Sequence, residues 1–563
     1  MPRRRHPAVK IHAIRARLAA LLPRSPNRRI AAAWSVGVFL VAAATAPAVG
    51  ISRDESVYVE AAEGYARFWS QAVRSPGQVL PLADRYYAAN HEHPGFAKGV
   101  YAITHALLAS GLGVTSHLQG FRFGAFLFAA LLAGVLSLWG SALAGHWGGG
   151  LAPAFFFLVP AHFYHSHPAV LDLPETALWL ATAYAYWRSI GGGGDQPRSG
   201  RWAVAAGLLF GATVATKHNG WFLLPLLFGC WFLSALPALL REGPRALAAR
   251  FPLAFLSMAI FGPMVFLATW PWLWAHPLSR FRDYLAFHLH HENYAWMYFG
   301  SLLREPPFPV SYPFLVTVLT VPAGLLAAMC GGLLQSVARI VRALRGAIED
   351  VSLPTEVLLS ANSLFPLSLI AWPTVPHFGG TKHWMAAMPF LALLGARAVV
   401  ITGRTLLPRR PVVVTGALAA LALAPAAWQV IHVHPFGTAA WNELAGGAAG
   451  AASMGMQRQF WGDNMGRVLA ALNEHAAPNA RVWFQEATWL AVKEYQRDGR
   501  LRRDLVWATG PEDAEISVWH YHQEFRDKEF RTWTEFRSAR PVAGVYLDEV
   551  PLIQVYARAG AWR

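Results

Sequence analysis

The sequence is poor in charged residues and very poor in cysteine. Only 14% of its 563 residues are Asp, Glu, Lys or Arg, and 55% are hydrophobic. Soluble domains carry about a quarter charged residues, so this composition excludes an ordinary soluble protein. The apolar runs are too long and too continuous for barrel strands, and they predict membrane-spanning helices.

The two cysteines exclude a disulfide framework. Cys230 and Cys330 both lie within apolar runs, and neither has the spacing of a zinc ribbon. We expect both to be small core residues.

The net charge of +16 does not indicate a nucleic-acid-binding protein, because the basic residues are spread over short loops. Basic loops between apolar runs follow the positive-inside pattern and report orientation. We therefore place the basic N-terminus, residues 1–30, in the cytoplasm. The later cytoplasmic clusters are Arg188, Arg198 and Arg201; Arg241, Arg245 and Arg250; Arg339, Arg342 and Arg345; and Arg404, Arg409 and Arg410.

The apolar runs predict an all-α polytopic membrane domain with roughly eleven spans. The first, 31–50, is interpreted as an uncleaved span in preference to a signal peptide. Residues 95–113 are interpreted as a helix in the outer interface, with crossing as the alternative, so that Lys98 and His105 stay hydrated. The other spans are 121–143, 148–165, 173–188, 203–216, 219–240, 252–274, 309–334, 356–372, 384–402 and 412–431, with a basic cytoplasmic segment at 335–354.

Composition changes near residue 434 and predicts a second domain. Residues 434–563 have charges throughout, and strand-like segments occur at 481–485, 542–547 and 552–556. We predict a transmembrane catalytic domain at 31–433, with outer loops 51–120 and 275–308, followed by a small α/β domain. An odd number of spans places that domain on the outer side of the membrane.

Acids and bases gather at the outer ends of the predicted spans, whereas the cytoplasmic turns are arginine clusters with few acids. Asp54 and Glu55 directly follow span one and indicate either a general base or an acidic turn that caps the next helix. Lys217, Lys382 and His383 are suited to neutralise phosphate oxygens. Asp172 is suited to orient an acceptor, to hold a metal, to stabilise a charged sugar ring or to cap span four.

Several short motifs resemble the lipid-linked-sugar glycosyltransferases of the GT-C superfamily. Within it, the sequence looks like family 39, which contains protein O-mannosyltransferases and the aminoarabinose transferases of lipid A. The similar segments are Arg53-Asp54-Glu55, His93-Pro94, Asp172-Leu-Pro-Glu175, Thr216-Lys217, Lys382-His383-Trp-Met-Ala-Ala-Met-Pro389 and Trp461-Gly462. Gly95 and the pair His383-Trp384 depart from the family pattern, which has a second proline and Arg-Tyr there.

The resemblance implies inverting transfer of a sugar from a polyprenyl-phosphate donor to an envelope acceptor on the periplasmic face. It implies that Asp54 is the base beside Glu55, and that Lys217, Lys382 and His383 bind the donor phosphate. We expect further substrate contacts at Arg53, Tyr58, Glu92, His93 and Glu175. The resemblance to the aminoarabinose transferases, which bind zinc through a Glu and a His of outer loops, implies Glu92 and His291 as candidate ligands for a divalent metal, although two ligands are not a complete zinc site.

Two other functions remain open from the sequence. One is a protein O-mannosyltransferase, which would differ in its acceptor. The other is a transporter or flippase of a lipid-linked saccharide. A transporter is expected to place polar groups near the bilayer midplane within inverted repeats. Here the polar groups lie at span ends and the sequence shows no convincing repeat.

Overall fold

The computed structural model describes residues 25–192, 197–346 and 352–563. Most of the predicted cytoplasmic N-terminus, residues 1–30, lies outside these ranges. The described chain is mainly helical and ends in a small sheet, which confirms the predicted fold class.

The helices up to residue 320 are connected by turns and loops of different lengths. They are α1 Pro26–Thr45, α2 Arg53–Arg74, α3 Val79–Tyr86, α4 Phe96–His105, α5 His117–Phe157, α6 Pro160–His165, α7 Asp172–Ser189, α8 Gly200–Val214, α9 Leu223–Glu242, α10 Arg245–Arg250, α11 Leu253–Thr269, α12 Pro277–Leu289 and α13 Tyr312–Thr320. A small antiparallel hairpin of β1 Trp296–Tyr298 and β2 Ser301–Leu303 precedes α13.

The remaining helices are α14 Ala323–Leu344, α15 Leu353–Ile370, α16 Met388–Leu406, α17 Pro411–Val433, α18 Gly447–Ser453, α19 Leu469–His475, α20 Trp489–Arg497 and α21 Arg526–Phe536. Among the described residues, seven helical segments are long and apolar enough to cross a bilayer, and α8 and α11 are shorter apolar helices. The protein is therefore embedded in a membrane.

Helical segments occupy all the predicted spans, but several boundaries were wrong. The first helix ends at Thr45 rather than at residue 50. The span predicted at 309–334 is two helices, because the chain is extended at Val321 and Pro322. The helix α14 then continues to Leu344, so the predicted basic cytoplasmic segment is helical over much of its described length. The predicted outer loops also contain α2, α3 and α12.

The long helix α5 consists of two arms, which is consistent with the two predicted spans 121–143 and 148–165. Ala144 and Gly145 have non-helical dihedral angles, with φ of +69° at Gly145, a value that glycine adopts readily. A side chain at Gly140 or Gly148 would collide with the carbonyl oxygen of the other, so these glycines let the arms pack closely. The second arm ends at Phe157, and α6 forms the rest of the predicted span.

Lys98 and His105 are buried, which corrects the prediction that these two side chains stay hydrated, while the interfacial position of the segment 95–113 stays a prediction. Lys98 has no solvent exposure, and its ammonium donates to the carbonyl oxygen and Oδ1 of Asn90 and to the carbonyl oxygen of His93, at 2.8 to 3.0 Å. Lys98 therefore does not extend towards the bilayer surface but fixes the loop that carries His93.

The C-terminal sheet has five strands in the order β4-β3-β5-β7-β6. They are β3 Arg481–Phe484, β4 Val506–Trp507, β5 Ile516–His520, β6 Ala543–Leu547 and β7 Val550–Ala557. The strand β3 pairs in parallel with β4 and β5, and β7 pairs antiparallel with β5 and β6. All three predicted strand segments are present.

The C-terminal region packs against α2. The Tyr495 hydroxyl accepts a hydrogen bond from the Ile51 amide at 2.6 Å, and the hydroxyls of Ser56 and Thr488 lie 2.7 Å apart. Glu63 accepts from Arg497 at 2.6 Å and pairs with His117 at 2.7 Å. The start of α2, where Asp54 lies, is therefore fixed by residues more than 400 positions away.

Candidate active site

The start of α2 is held by its cap and by a buried ion pair. The Ser52 hydroxyl accepts from the Glu55 amide at 3.2 Å, which satisfies an otherwise free donor of the first turn. Arg122 donates to both Glu55 oxygens at 2.7 Å, and neither side chain is exposed to solvent. Arg122 also donates to the carbonyl oxygens of Ala46, Val49 and Gly50, which fixes the turn after α1.

Glu55 therefore anchors the start of α2. Its Oε1 also accepts from the Ala169 amide at 2.8 Å, so both oxygens have protein donors. A carboxylate held in this way is a poor candidate for proton transfer. The geometry favours a positioning role for Glu55 over the predicted catalytic one.

Asp54 points away from this anchor and pairs with Lys382. Its Oδ2 accepts from the Lys382 ammonium at 2.8 Å, and about a third of the Asp54 side chain, 32%, stays exposed. The Lys382 ammonium also lies 4.2 Å from the Trp461 ring centre and 5.9 Å from that of Phe378. Asp54 is thus the accessible acid of the adjacent pair, and the cation beside it has an aromatic wall.

Asp172 and Lys217 form a second lysine–carboxylate pair. The Lys217 ammonium donates to Asp172 Oδ1 at 2.8 Å, and both side chains are nearly buried. Burial is the largest single effect and disfavours the ammonium, but the nearby carboxylates, led by Asp172 and its hydrogen bond, together raise the pKa of Lys217. Glu175, also buried, lies one turn further along α7 and its Oε1 has no hydrogen-bond partner.

The two pairs belong to one cluster. Asp172 interacts electrostatically with Lys382 as well as with Lys217, and Lys217 interacts with Asp54. Four helical segments begin at this cluster, namely α2, α7 and the short turns His218–Phe222 and Gly380–Ala387. Since helix N-termini carry partial positive charge, they add to the two lysines in favouring an anion.

Tyr58 and His93 form the side of the cluster next to Asp54. Their rings are in edge contact, with centres 5.8 Å apart. Burial, and then the charges of Asp54 and Asp172, raise the pKa of Tyr58 well above its usual range, so the phenol stays a neutral donor. His93 keeps an Nδ1 without a partner. The structure therefore brings both predicted contact residues to the site.

The other predicted contact residues differ in position. His383 interacts electrostatically with Lys382, Lys217 and Asp172, and its Nε2 is buried without a partner. Arg53 is 59% exposed and its guanidinium lies 3.6 Å from Glu486, so it extends towards the C-terminal region. Arg53 contacts the site through its backbone, because its amide donates to the Trp461 carbonyl oxygen at 2.9 Å.

The predicted metal site is not supported by the side-chain arrangement. Glu92 Oε1 accepts from Asn90, and His291 Nδ1 bonds to the carbonyl oxygen of Glu292 while its ring stacks on Phe378. Across residues 25–192, 197–346 and 352–563, no three His, Cys, Asp or Glu side chains form a group suited to a metal. We therefore derive no chemistry from a metal.

A cavity adjoins the charged cluster. It is partly open to solvent, and its wall includes Trp461, Thr381 and His165. No role was predicted for His165 from the sequence. Its signal in the sequence was weak, since a histidine in a short apolar helix is usually a core residue. Trp461 was noted only as part of a motif.

The site lies at the arginine-poor end of the helices. The helix α7 begins with Asp172 and ends near Arg188, and α16 begins beside the Lys382 segment and ends near Arg404. Among the described residues, each predicted cytoplasmic arginine cluster lies at or close to the end of a helix. Along α7 and α16, the site residues and the arginine clusters thus lie at opposite helix ends.

Solved structures whose chains follow a similar path include those of the following two proteins. ArnT from Cupriavidus metallidurans bound to undecaprenyl phosphate has 14% identity and a TM-score of 0.46, covering 92% of this chain and 97% of that one. The archaeal oligosaccharyltransferase AglB from Archaeoglobus fulgidus, in complex with an inhibitory peptide and a dolichol-phosphate, has 12% identity and a TM-score of 0.45, covering 86% and 69%.

No family model matches the sequence, and no curated protein matches it. Identities and scores this low leave the chemistry of the site to be deduced from its own side chains.

Proposed function

We propose that the protein is a membrane glycosyltransferase that moves a sugar from a polyprenyl-phosphate donor to an envelope acceptor. The transfer inverts the sugar carbon, takes place on the periplasmic side and uses Asp54 as general base. The observation that carries the proposal is the pair of lysine–carboxylate contacts, Lys382 with Asp54 and Lys217 with Asp172, each at 2.8 Å. The acceptor class, whether lipid, glycan or protein, is left open.

The cluster suits a phosphate at the membrane surface. Two lysines supply positive charge and hydrogen-bond donors, and the nearby N-termini of α2 and α7 add partial positive charge. A phosphodiester that loses its sugar gains a negative charge on the leaving oxygen. Donors arranged beforehand around that oxygen stabilise the charge as it develops.

Asp54 supplies the other half of the reaction. The acceptor O–H or N–H attacks the sugar carbon from the side opposite the phosphate, and its proton passes to a carboxylate oxygen of Asp54. The new bond to carbon forms while the bond from carbon to the phosphate oxygen breaks, so the electron pair leaves with polyprenyl phosphate. Asp54 suits this step because it is partly exposed, whereas Glu55 is fully engaged.

Donor binding would also release the base. Lys382 donates directly to one carboxylate oxygen of Asp54. A phosphate that shares or takes over the Lys382 ammonium would weaken that pair and leave an Asp54 oxygen free to accept a proton. The same exchange at Lys217 would free Asp172 to orient the acceptor. This arrangement favours an ordered reaction in which the donor binds first.

The position of the charges favours a transferase over a transporter. Asp54, Asp172, Lys217 and Lys382 all lie in the first turn of a helical segment or immediately before one. A transporter would be expected to hold its substrate near the middle of the bilayer. The arginine clusters at the opposite helix ends support a periplasmic site, because basic loops are retained in the cytoplasm.

The test is a transfer assay with the purified full-length chain in detergent, radiolabelled polyprenyl-phosphate sugars and an envelope acceptor fraction. Wild type is compared with Asp54→Asn and with the control Asp84→Asn, which changes a carboxylate that pairs with Arg280 outside the cluster. We expect label transfer by wild type and the control and none by Asp54→Asn. Equal transfer by Asp54→Asn would refute the role of the base.

A further inference from the structure

The cavity beside the charged cluster has an uncharged, aromatic wall. Tyr312, Trp441, Phe460 and Trp461 contribute rings, and within the described chain no Asp, Glu, Lys or Arg lines it. Leucine and isoleucine are likewise missing from the described lining. Val316, Met297 and Met456 add an aliphatic part to the wall, which differs from the charged cluster in carrying no charge.

His165 connects the cavity to the charged cluster. It lines the cavity, and its ring centre lies 5.3 Å from that of Trp461. It also interacts electrostatically with Asp172, Lys382, Lys217 and Asp54. Ligand atoms that contact His165 from the cavity would thus be close to the groups that carry the proposed chemistry.

One hydrogen-bonding atom of the His165 imidazole has no partner among the described residues. The side chain is 2% exposed, and its buried Nδ1 has no partner. A buried polar atom without a partner is costly, so such atoms usually have one in the functional state. The neighbouring His162 is different, because its Nδ1 bonds to the Phe156 carbonyl oxygen at 3.1 Å and it does not line the cavity.

These features together match an uncharged sugar ring. The C–H bonds of a sugar carry partial positive charge and favour the negative faces of aromatic rings. Its hydroxyls need a few placed polar partners, which His165 and the hydroxyls of Thr381 and Thr438 can provide. A lysine or a carboxylate in the wall would instead favour a charged ligand.

We propose that this cavity is a subsite for a neutral sugar ring and that His165 hydrogen-bonds a hydroxyl of that ring. The proposal rests on the proposed function, since it extends the same site. The ring is either the sugar of the donor or a sugar of the acceptor. Both have the same chemistry, and the two sources differ in which lipid the subsite helps to bind.

The first experiment measures sugar binding alone. The full-length protein in nanodiscs is titrated with methyl glycosides of glucose, galactose, mannose and xylose, and binding is followed by saturation-transfer NMR. We compare wild type with His165→Phe, which keeps an aromatic ring against Trp461, with His165→Asn, and with the control His162→Phe. We expect at least one glycoside to bind wild type and the control, and roughly tenfold weaker binding to His165→Phe.

Rescue of binding by His165→Asn, relative to His165→Phe, would support the hydrogen bond itself. If no glycoside distinguishes wild type from His165→Phe, the subsite does not exist as proposed. The thermal unfolding of each variant, measured without sugar, shows whether a loss of binding reflects a loss of folding.

The second experiment distinguishes the source and isolates the proposed function. Wild type and His165→Phe are titrated with bare undecaprenyl phosphate and with its glycosylated forms. Weaker binding of only the glycosylated lipid assigns the subsite to the donor sugar, and unchanged binding of both lipids assigns it to the acceptor. An equal loss for the bare lipid would make His165 part of the phosphate site and overturn the proposal. If bare undecaprenyl phosphate fails to bind wild type, the proposed function fails, while the glycoside titration still tests the cavity.

Discussion

The adjacent acids Asp54 and Glu55 should respond oppositely to the same chemical change. Replacing Glu55 by glutamine keeps its size but removes the charge that neutralises Arg122, and both side chains have no solvent exposure. Removing one partner of a buried ion pair costs about 3 to 5 kcal/mol, because the remaining charge stays buried without compensation. We expect Glu55→Gln to lower the free energy of unfolding by that amount.

The assay is equilibrium unfolding of the purified chain in mixed detergent micelles. The matched control is Glu60→Gln, an exposed acid on the same helix, which should change stability by less than about 0.5 kcal/mol. The double variant Glu55→Gln/Arg122→Met completes a double-mutant cycle. It should be less destabilised than the sum of the single changes, since it leaves no uncompensated charge.

Transfer activity then separates the two roles. Glu55→Gln protein that is folded at low temperature should keep measurable transfer, because Glu55 holds the turn and Asp54 faces the accessible side. If Glu55→Gln were as stable as wild type and yet inactive, the anchor interpretation would be refuted. The resemblance-based role of Glu55 in the chemistry would then stand.

Two further predictions concern charged side chains whose ion-pair or hydrogen-bond partners are shielded from solvent. Lys217→Met and Lys382→Met should each weaken binding of undecaprenyl phosphate about tenfold or more, because each removes a charged donor. Only Lys217→Met should also clearly lower the thermal stability, since it leaves Asp172 buried and unpaired. Equal losses of thermal stability in the two variants would contradict this prediction. For Glu63, burial opposes ionisation, but the hydrogen bond with His117 leads the effects that lower its pKa from 4.5 to about 2. A lowered pKa stabilises the fold above pH 4.5, and this stability is lost as the pH falls towards 2. The unfolding midpoint should therefore fall between pH 5 and pH 3 more in wild type than in Glu63→Gln, and matching midpoint shifts would refute the assignment.

Much of the fold follows from the local pattern of the sequence. Long apolar runs leave little choice but helices, because backbone groups in a bilayer must be satisfied within the segment. The break at Val321 and Pro322 was missed although it has a local cause, because a proline disfavours helical backbone at the residue before it. Alternating residues gave the strands of the C-terminal sheet, but the order β4-β3-β5-β7-β6 depends on pairing between distant segments.

The site was predictable in its residue types but not in its pairings. Charges beside apolar runs marked Asp54, Asp172, Lys217 and Lys382, because charged groups near a membrane are costly. Nothing local distinguishes Asp54 from Glu55, since the difference depends on Arg122, 67 positions away from Glu55. Lys98 was misassigned for the same reason, because its partners are backbone atoms of a loop whose path the sequence does not reveal.

The C-terminal region is better understood as a wall of the site than as a separate appendage. Tyr495 and Thr488 contact the first turn of α2 and the residues just before it, so they help to determine where Asp54 lies. Trp461 covers Lys382 on one side and lines the aromatic cavity. The same residue accepts a hydrogen bond from the Arg53 amide through its carbonyl oxygen. A sugar held in the cavity would therefore contact the C-terminal region and the charged cluster together, which links recognition of the sugar to the position of the base.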